Sequence, residues 1–120
     1  MAAAETISAL LSVLNGVKML HWVADKYGMH LALDKLYGSL SEKIDKIAEV
    51  TLALYPHKKS TDVKFTIQMP VGSKTTLAYL DGIYKVFQQL HAASNKMELK
   101  NIYEECLADV QNAIYLCRMD

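Results

Sequence analysis

Apolar residues recur every three or four positions in four stretches of the chain, which is the spacing of amphipathic helices that pack on one another. The predicted helices begin near Glu5 or Thr6, near Met29, at Ser73 or Thr75, and near Met97. Tyr27-Gly28 and Ser94-Asn95 supply the breaks between the first two and between the last two, because glycine and asparagine favour turns and helix ends. The pattern predicts an all-α chain built of two helical hairpins.

The two predicted hairpins are separated by a long connection that contains both prolines of the chain, Pro56 and Pro70. Proline disfavours the helical conformation in the residue before it, so the second helix should end at about Leu54. Part of the connection is predicted to be extended, because apolar and polar residues alternate there. The alternating apolar residues are Val63, Phe65, Ile67 and Met69. We expect a ferritin-like four-helix bundle with one long crossover between helices 2 and 3.

Composition limits the number of domains, the partners and the cellular compartment that we expect for this chain. The 120 residues fit one domain, spanning 1–120. No uninterrupted apolar run reaches the roughly 18 residues that a membrane span needs, so no membrane association is expected. The formal net charge is zero and the lysines are scattered, so nucleic acid is not an expected partner. Cys106 and Cys117 would lie about 16 Å apart on one helix, too far for a disulfide, and buried thiols suit a cytoplasmic protein.

The second predicted helix carries a stripe of potential metal ligands beside its apolar face. At about 100° per residue, with His30 as the origin, Asp34 lies at about 40°, Asp45 at about 60° and Glu49 at about 100°. The apolar residues on the other side are Leu33, Leu36, Leu40, Ile44 and Ile47. Imidazole and carboxylate groups together suit iron, zinc or manganese. His21, on the apolar seam of the first helix, could point toward the same region.

The two halves of this stripe lie too far apart to form one site within one chain. Asp34 and Asp45 are about 16 Å apart along the helix, whereas His30 and Asp34 are about one turn apart. A second copy of the helix, packed antiparallel about a two-fold axis near Ser39 and Leu40, would bring the two halves together. The small residues that would permit a close crossing are Gly38, Ser39 and Ser41. The stripe therefore predicts a homodimer, or a larger homo-oligomer, with two identical sites per dimer.

His21-Trp22, followed by His30-x3-Asp34-x10-Asp45-x3-Glu49, resembles the ferroxidase signature of Dps proteins, the mini-ferritins. The resemblance covers roughly 14–54. It implies that the two histidines and Asp34 bind iron from one chain, and that Asp45 and Glu49 bind it from the mate. It also implies oxidation of Fe(II) and sequestration of iron.

The chain differs from Dps proteins in one spacing. His21 and His30 are closer together than is usual in Dps proteins, and short Dps-like proteins of bacteriophages and large viruses share this spacing. The Glu-x-x-His motifs of ferritins are absent from the sequence, so the predicted site is not of the ferritin type.

Each of these features also has an explanation without metal. A histidine on an apolar seam is more often a hydrogen-bonded core residue, and the carboxylates could form a solvated face paired with neighbouring lysines. The alternative function is therefore a non-catalytic helical-bundle homo-oligomer that acts as an interaction or structural protein. Trp22 is predicted to anchor the core or an interface, and His91 to serve packing or capping. No Ser-His-Asp arrangement, phosphate loop or Cys-x-x-Cys motif supports a hydrolase, nucleotide or dithiol function.

Overall fold

The computed structural model describes residues 3–54 and 73–119, with side chains for 5–54 and 75–119. Four helices make up this part of the chain: α1 (Ala3–Val23), α2 (Tyr27–Leu54), α3 (Ser73–Ala93) and α4 (Met97–Arg118). The prediction of an all-α four-helix fold is confirmed. The predicted extended stretch from Val63 to Met69 lies outside the described residues.

The turn between α1 and α2 falls earlier than the sequence indicated. α1 ends at Val23, and Tyr27 and Gly28 are the first two residues of α2. The prediction that Gly28 ends the first helix is wrong. The conformational freedom of glycine costs most in the interior of a helix, and Gly28 lies in the first turn of α2. The backbone N–H of His30 donates to the carbonyl of Lys26 over 3.0 Å, and this bond opens the hydrogen-bond ladder of α2.

The helices pack as two hairpins whose neighbours run antiparallel. α1 packs on α2 and α3 on α4, each pair across a turn of three residues. The hairpins join through α2 and α4: Asp109, Asn112 and Ala113 of α4 line a groove with residues of α2 between 32 and 39, and Asp109 also pairs with Lys43, further along α2. Residue numbers thus rise along α2 in the direction in which they fall along α4, so these two helices run antiparallel.

The second junction between the hairpins is looser. α1 approaches α3 along a short stretch, where the Tyr79 hydroxyl occupies the place that a side chain at Gly16 would take. Among the described helices, α2 and α3 make no close backbone contact, and neither do α1 and α4, so these pairs are diagonal. α2 and α3 therefore run parallel, and Leu54 and Ser73 lie at opposite ends of the bundle. This arrangement confirms a long crossover between helices 2 and 3.

The core is built from one apolar stripe of each helix. Phe87 and Val110 are fully buried, and Tyr103 packs against Phe87 with ring centroids 6.4 Å apart. On α1 the buried stripe includes Leu10, Val13, Val17 and Leu20, whereas Leu14 is only half-buried. The stripe on α2 is as predicted. Its fully or nearly fully buried members are Leu33, Leu36, Leu40, Ile44 and Ile47.

α1 is more apolar than its place in the bundle requires. The stretch from Glu5 to Val23 is long and apolar enough to cross a membrane by length and composition, which the sequence analysis did not anticipate. In the structure 33% of that stretch is buried, and its inward residues pack against the other helices as core residues do. The described helices together form a compact globular bundle. The remaining apolar side chains of α1 leave grooves on its two flanks.

Candidate metal site

Three of the five predicted ligands meet beside the turn between α1 and α2. The imidazole rings of His21 and His30 stack, with centroids 3.9 Å apart and 22° between their planes. His21 Nε2 lies 3.8 Å from Asp34 Oδ1. The His21 side chain is 12% exposed and the Asp34 side chain is 62% exposed. The cluster therefore combines a sheltered imidazole with a carboxylate that faces solvent.

Each of the two imidazoles is hydrogen-bonded to the backbone of the other histidine. His21 Nδ1 donates to the His30 carbonyl over 2.9 Å, and His30 Nδ1 donates to the His21 carbonyl over 2.9 Å. A carbonyl can only accept, so both rings carry a proton on Nδ1. In a neutral imidazole this leaves a lone pair on Nε2. Histidines that bind metals commonly donate their other ring N–H to a carbonyl, which fixes the tautomer and the ring orientation.

The hairpin itself explains why these bonds form. The last four carbonyls of a helix have no partner within the helix, and the His21 carbonyl belongs to this group because α1 ends at Val23. The His30 imidazole supplies the missing donor. The short turn at 24–26 places the first turns of α2 against the last turn of α1, so the two histidines come face to face. The same contacts close the hairpin and orient the rings.

Asp45 and Glu49 lie further along the exposed face of α2 and do not join this cluster. Both residues are exposed, about three to five helical turns from His30 and Asp34 by the rise of the helix. In the described part of the chain, no group of three or more histidine, cysteine, aspartate or glutamate side chains is arranged to hold a metal ion. One chain thus separates the predicted ligands into two sets on one face.

Asp45 borders an apolar groove between α1 and α2, which we call the hairpin groove. The groove has a volume of about 380 Å³. Its apolar lining comes from Ile7, Leu10, Leu11, Leu14, Ile44 and Ala48, and its polar lining from Ser41, Glu42 and Asp45. It lies on the same face of α2 as the predicted ligands.

Trp22 stands on the outer face of the same hairpin, at the end that carries the histidines. Its side chain is 65% exposed, so the prediction of a core anchor is wrong, and an interface role remains a prediction. The Lys18 ammonium lies 5.8 Å from the centre of the Trp22 ring and 4.5 Å from that of Tyr37. Lys18 and Tyr37 are not among the residues predicted from the sequence. The i,i+4 spacing of Lys18 and Trp22 on a helix was the available signal.

The structure refines which residues could lie at the predicted two-fold axis. Leu40 is fully buried in the core of its own bundle, and Ser39 lines a groove between α2 and α4. Neither side chain is available to a second copy, because each already faces the rest of its own chain. Gly38 is exposed, and a methyl group at its position would meet nothing within 4 Å. Gly38 and Ser41 mark the outward face at the same level.

The other titratable side chains of interest lie in α3 and α4. His91 Nε2 lies 3.2 Å from Glu104 Oε1, and the His91 carbonyl accepts a hydrogen bond from Lys100 Nζ over 3.0 Å. Cys106 and Cys117 are buried and free, as expected. Burial raises the pKa of the Cys106 thiol to about 12, against the opposing effect of the nearby Lys43 charge. These contacts are those of a packed, structural hairpin.

Comparison with protein families places the chain. The signature of a family of unknown function, DUF5856, matches residues 21–117. The chain belongs to the DUF5856 family. The span that defines this DUF5856 domain begins at His21 and includes all five predicted ligands. No curated protein and no solved structure matches the chain.

Proposed function

We propose that this DUF5856 protein is a Dps-like, metal-binding homodimer that oxidises and sequesters Fe(II). Each of its two sites would take His21, His30 and Asp34 from one copy, and Asp45 and Glu49 from the second copy. Iron is the proposed metal, and zinc and manganese suit the same donor set. The ferritin-like character of the bundle and the resemblance to Dps-like proteins of phages and large viruses belong to this proposal.

The hydrogen bonds of His21 and His30 are the observation that supports it best. Both rings donate from Nδ1 to a carbonyl. In the neutral form of each ring this leaves a lone pair on Nε2, and the carboxylate of Asp34 lies beside Nε2 of His21. A core histidine needs only a hydrogen-bond partner. Two histidines that donate from Nδ1 to carbonyls, with an exposed carboxylate nearby, share the hydrogen-bonding pattern common among metal-binding histidines.

The separation of the two ligand sets supports a site that is shared between copies. Antiparallel pairing of two α2 helices would set His30 opposite Glu49 and Asp34 opposite Asp45. The exposed face at Gly38 leaves room for this approach. Two ions held between the copies by imidazoles and carboxylates could pass electrons from Fe(II) to dioxygen or peroxide, with Glu49 as the bridging ligand.

The test is an anaerobic titration with Fe(II), followed by an oxidant, with ferric absorbance as the readout. We expect stoichiometric iron to give a rapid rise in the native protein, and no rise above the protein-free rate in His30→Ala. His91→Ala is the matched control, because this histidine lies in the other hairpin. A flat trace for the native protein at stoichiometric iron would contradict the ferroxidase function.

The same hydrogen bonds also support a second candidate, a non-catalytic interaction or structural protein. His21 and His30 close the hairpin whether or not a metal binds, so the pair has a structural role that needs no chemistry. Metal analysis of the purified protein separates the two candidates. If the protein carries no metal and binds none on titration, the stripe on α2 serves only as a contact surface between copies.

A further inference from the structure

We infer that Trp22 of each copy fills the hairpin groove of the other copy, so that one face carries both a projecting residue and the cavity that receives it. This inference rests on the homodimer of the proposed function. It adds a contact that does not involve the metal ligands as such. It also names the partner of the most exposed part of α1, which is a second copy of this chain.

Trp22 has the properties of an interface residue. It is the only tryptophan of the chain, and in the isolated bundle its side chain is 65% exposed. Tyr27 and Leu31, on the first turns of α2, are also exposed, at 75% and 49%. Tryptophan is among the residues that contribute most to binding when they are buried in a contact surface.

The hairpin groove has the properties of a receiving site. Its volume of about 380 Å³ is sufficient for a large side chain, and aliphatic residues of α1 form most of its lining. Two carboxylates, Glu42 and Asp45, border it on the α2 side. The groove is therefore apolar inside and negative at one edge. The Lys18 ammonium, 5.8 Å from the Trp22 ring, gives the projecting residue a positive neighbour.

The levels of these features along the helices follow from contacts within one chain. His21 lies beside Asp34, and Lys18 beside Tyr37. In each of these pairs across the antiparallel hairpin, the two residue numbers add to 55. An α1 residue is thus level with the α2 residue whose number is 55 minus its own. Trp22 is therefore level with position 33 of its own α2.

The proposed pairing of the two α2 helices extends this register to the second copy. Opposing His30 to Glu49, and Asp34 to Asp45, makes paired residue numbers add to 79. Position 33 of one copy is then level with position 46 of the other, so Trp22 lies within the α2 span of the groove, 41–48. Lys18, by the same count, is level with Glu42 of the second copy.

The two-fold symmetry also determines which sides of the two α2 helices meet. A two-fold axis that lies in the interface maps each flank onto itself, so the α1 side of one copy meets the α1 side of the other. Trp22 and the groove both lie on the α1 side of α2. Position along the helices, side of α2 and charge therefore all place Trp22 in the groove of the second copy. The indole meets the aliphatic lining, and the Lys18 ammonium meets the carboxylate of Glu42.

The first test uses the native protein, because its single tryptophan reports its own surroundings. Fluorescence spectra are recorded across a dilution series, and light scattering gives the mass at the same concentrations. We expect the Trp22 emission to lie at shorter wavelength in the dimer and to shift to longer wavelength as the dimer dissociates. The two measurements should share one midpoint.

The second test uses matched variants in metal-free buffer. Trp22→Ala should weaken the dimer at least about tenfold, as expected for the loss of a buried aromatic anchor. Tyr115→Ala is the control, because Tyr115 is also an exposed aromatic residue, at 61%, but lies on α4. Lys18→Glu should weaken the dimer, and the second change Glu42→Lys in the same chain should restore it. Circular dichroism checks that each variant keeps its helices.

The outcomes separate this inference from the function on which it rests. A dimer whose tryptophan emission is that of an exposed indole, and which Trp22→Ala leaves intact, would overturn the inference and leave the shared metal site standing. A native protein that is monomeric at every concentration, with or without metal, would overturn both. Loss of the dimer in Trp22→Ala, with a normal Tyr115→Ala and rescue of the charge reversal, would support it.

Discussion

The two hairpins of this bundle have the same architecture and use their histidines in opposite ways. Each joins two antiparallel helices through three residues, and each has histidine near the turn. In α1–α2, His21 and His30 direct Nδ1 to backbone carbonyls. In α3–α4, the Nε2 atom of His91 contacts Glu104, and Lys100 donates to the His91 carbonyl. The first hairpin is closed through Nδ1 of its histidines, whereas the second is closed through Nε2 of His91.

This difference shows that the position of a histidine near a turn does not determine which of its ring nitrogens is bonded or to what. The His91 side chain is 29% exposed and its carboxylate partner 60%, so their ion pair is screened by water. The bonds of His21 and His30 are sheltered and go to backbone atoms that do not move independently. The first hairpin also carries Trp22 and the hairpin groove. The features on which the proposed metal site and the proposed contact between copies rest therefore lie together in α1–α2.

The largest expected contrast between the hairpins is in metal binding. Replacing His30 by alanine should weaken Zn(II) binding at least about tenfold, because even residues that only orient a ligand commonly contribute that much. The change His91→Ala should leave the affinity unchanged. Isothermal titration with Zn(II) measures both. Equal losses in the two variants would place the metal somewhere other than the α1–α2 turn.

The next contrast is in stability. His30→Ala leaves the His21 carbonyl without its donor and should lower the free energy of unfolding by about 1–3 kcal/mol. His91→Ala removes an exposed pair and should lower it by less than about 1 kcal/mol. Urea unfolding in metal-free buffer, followed by circular dichroism, gives both values. If the order is reversed, the reciprocal bonds contribute little to closing the hairpin.

Replacing each of two glycines by alanine should change the stability by a smaller amount, and in opposite directions. A methyl group at Gly16 would overlap the Tyr79 hydroxyl, so Gly16→Ala should displace that ring from the junction of α1 and α3 and lower stability by about 1–3 kcal/mol. A methyl group at Gly82 on α3 meets nothing within 4 Å. Gly82→Ala should raise stability by about 0.5–1 kcal/mol, since alanine is the better helix former. Thermal unfolding of both variants decides the signs.

The smallest expected change in the free energy of unfolding at neutral pH comes from the ionisation of Cys106, in the second hairpin. Burial raises the pKa of its thiol from 9.0 to about 12, so the folded protein holds this proton more tightly than the unfolded chain does. The contribution to stability is full below about pH 9 and is lost as the pH rises toward about 12. The difference in unfolding free energy between the native protein and Cys106→Ala should therefore shrink over this range. A difference that is constant from pH 8 to pH 11 would contradict it.

Much of the fold could be predicted because it depends on periodicity. The apolar spacing on α2 identified its buried face, since only one stripe of a helix can face the core. The start of α2 was misplaced, because Gly28 resembles a helix end and only the contacts with α1 show that it begins the next helix. The candidate site was predicted as a stripe. The bonds of His21 and His30 could not be, because they join different helices.

The sequence by itself determined that four amphipathic helices form, which face of α2 is apolar, and that its ligand-type residues lie on the opposite side. These follow from the helical repeat, which each segment carries within itself. The tertiary structure decided which helices are neighbours, which ring nitrogen of each histidine is used, and that Trp22 faces solvent beside a groove. These depend on the approach of residues from different helices, which the repeat within one segment does not contain.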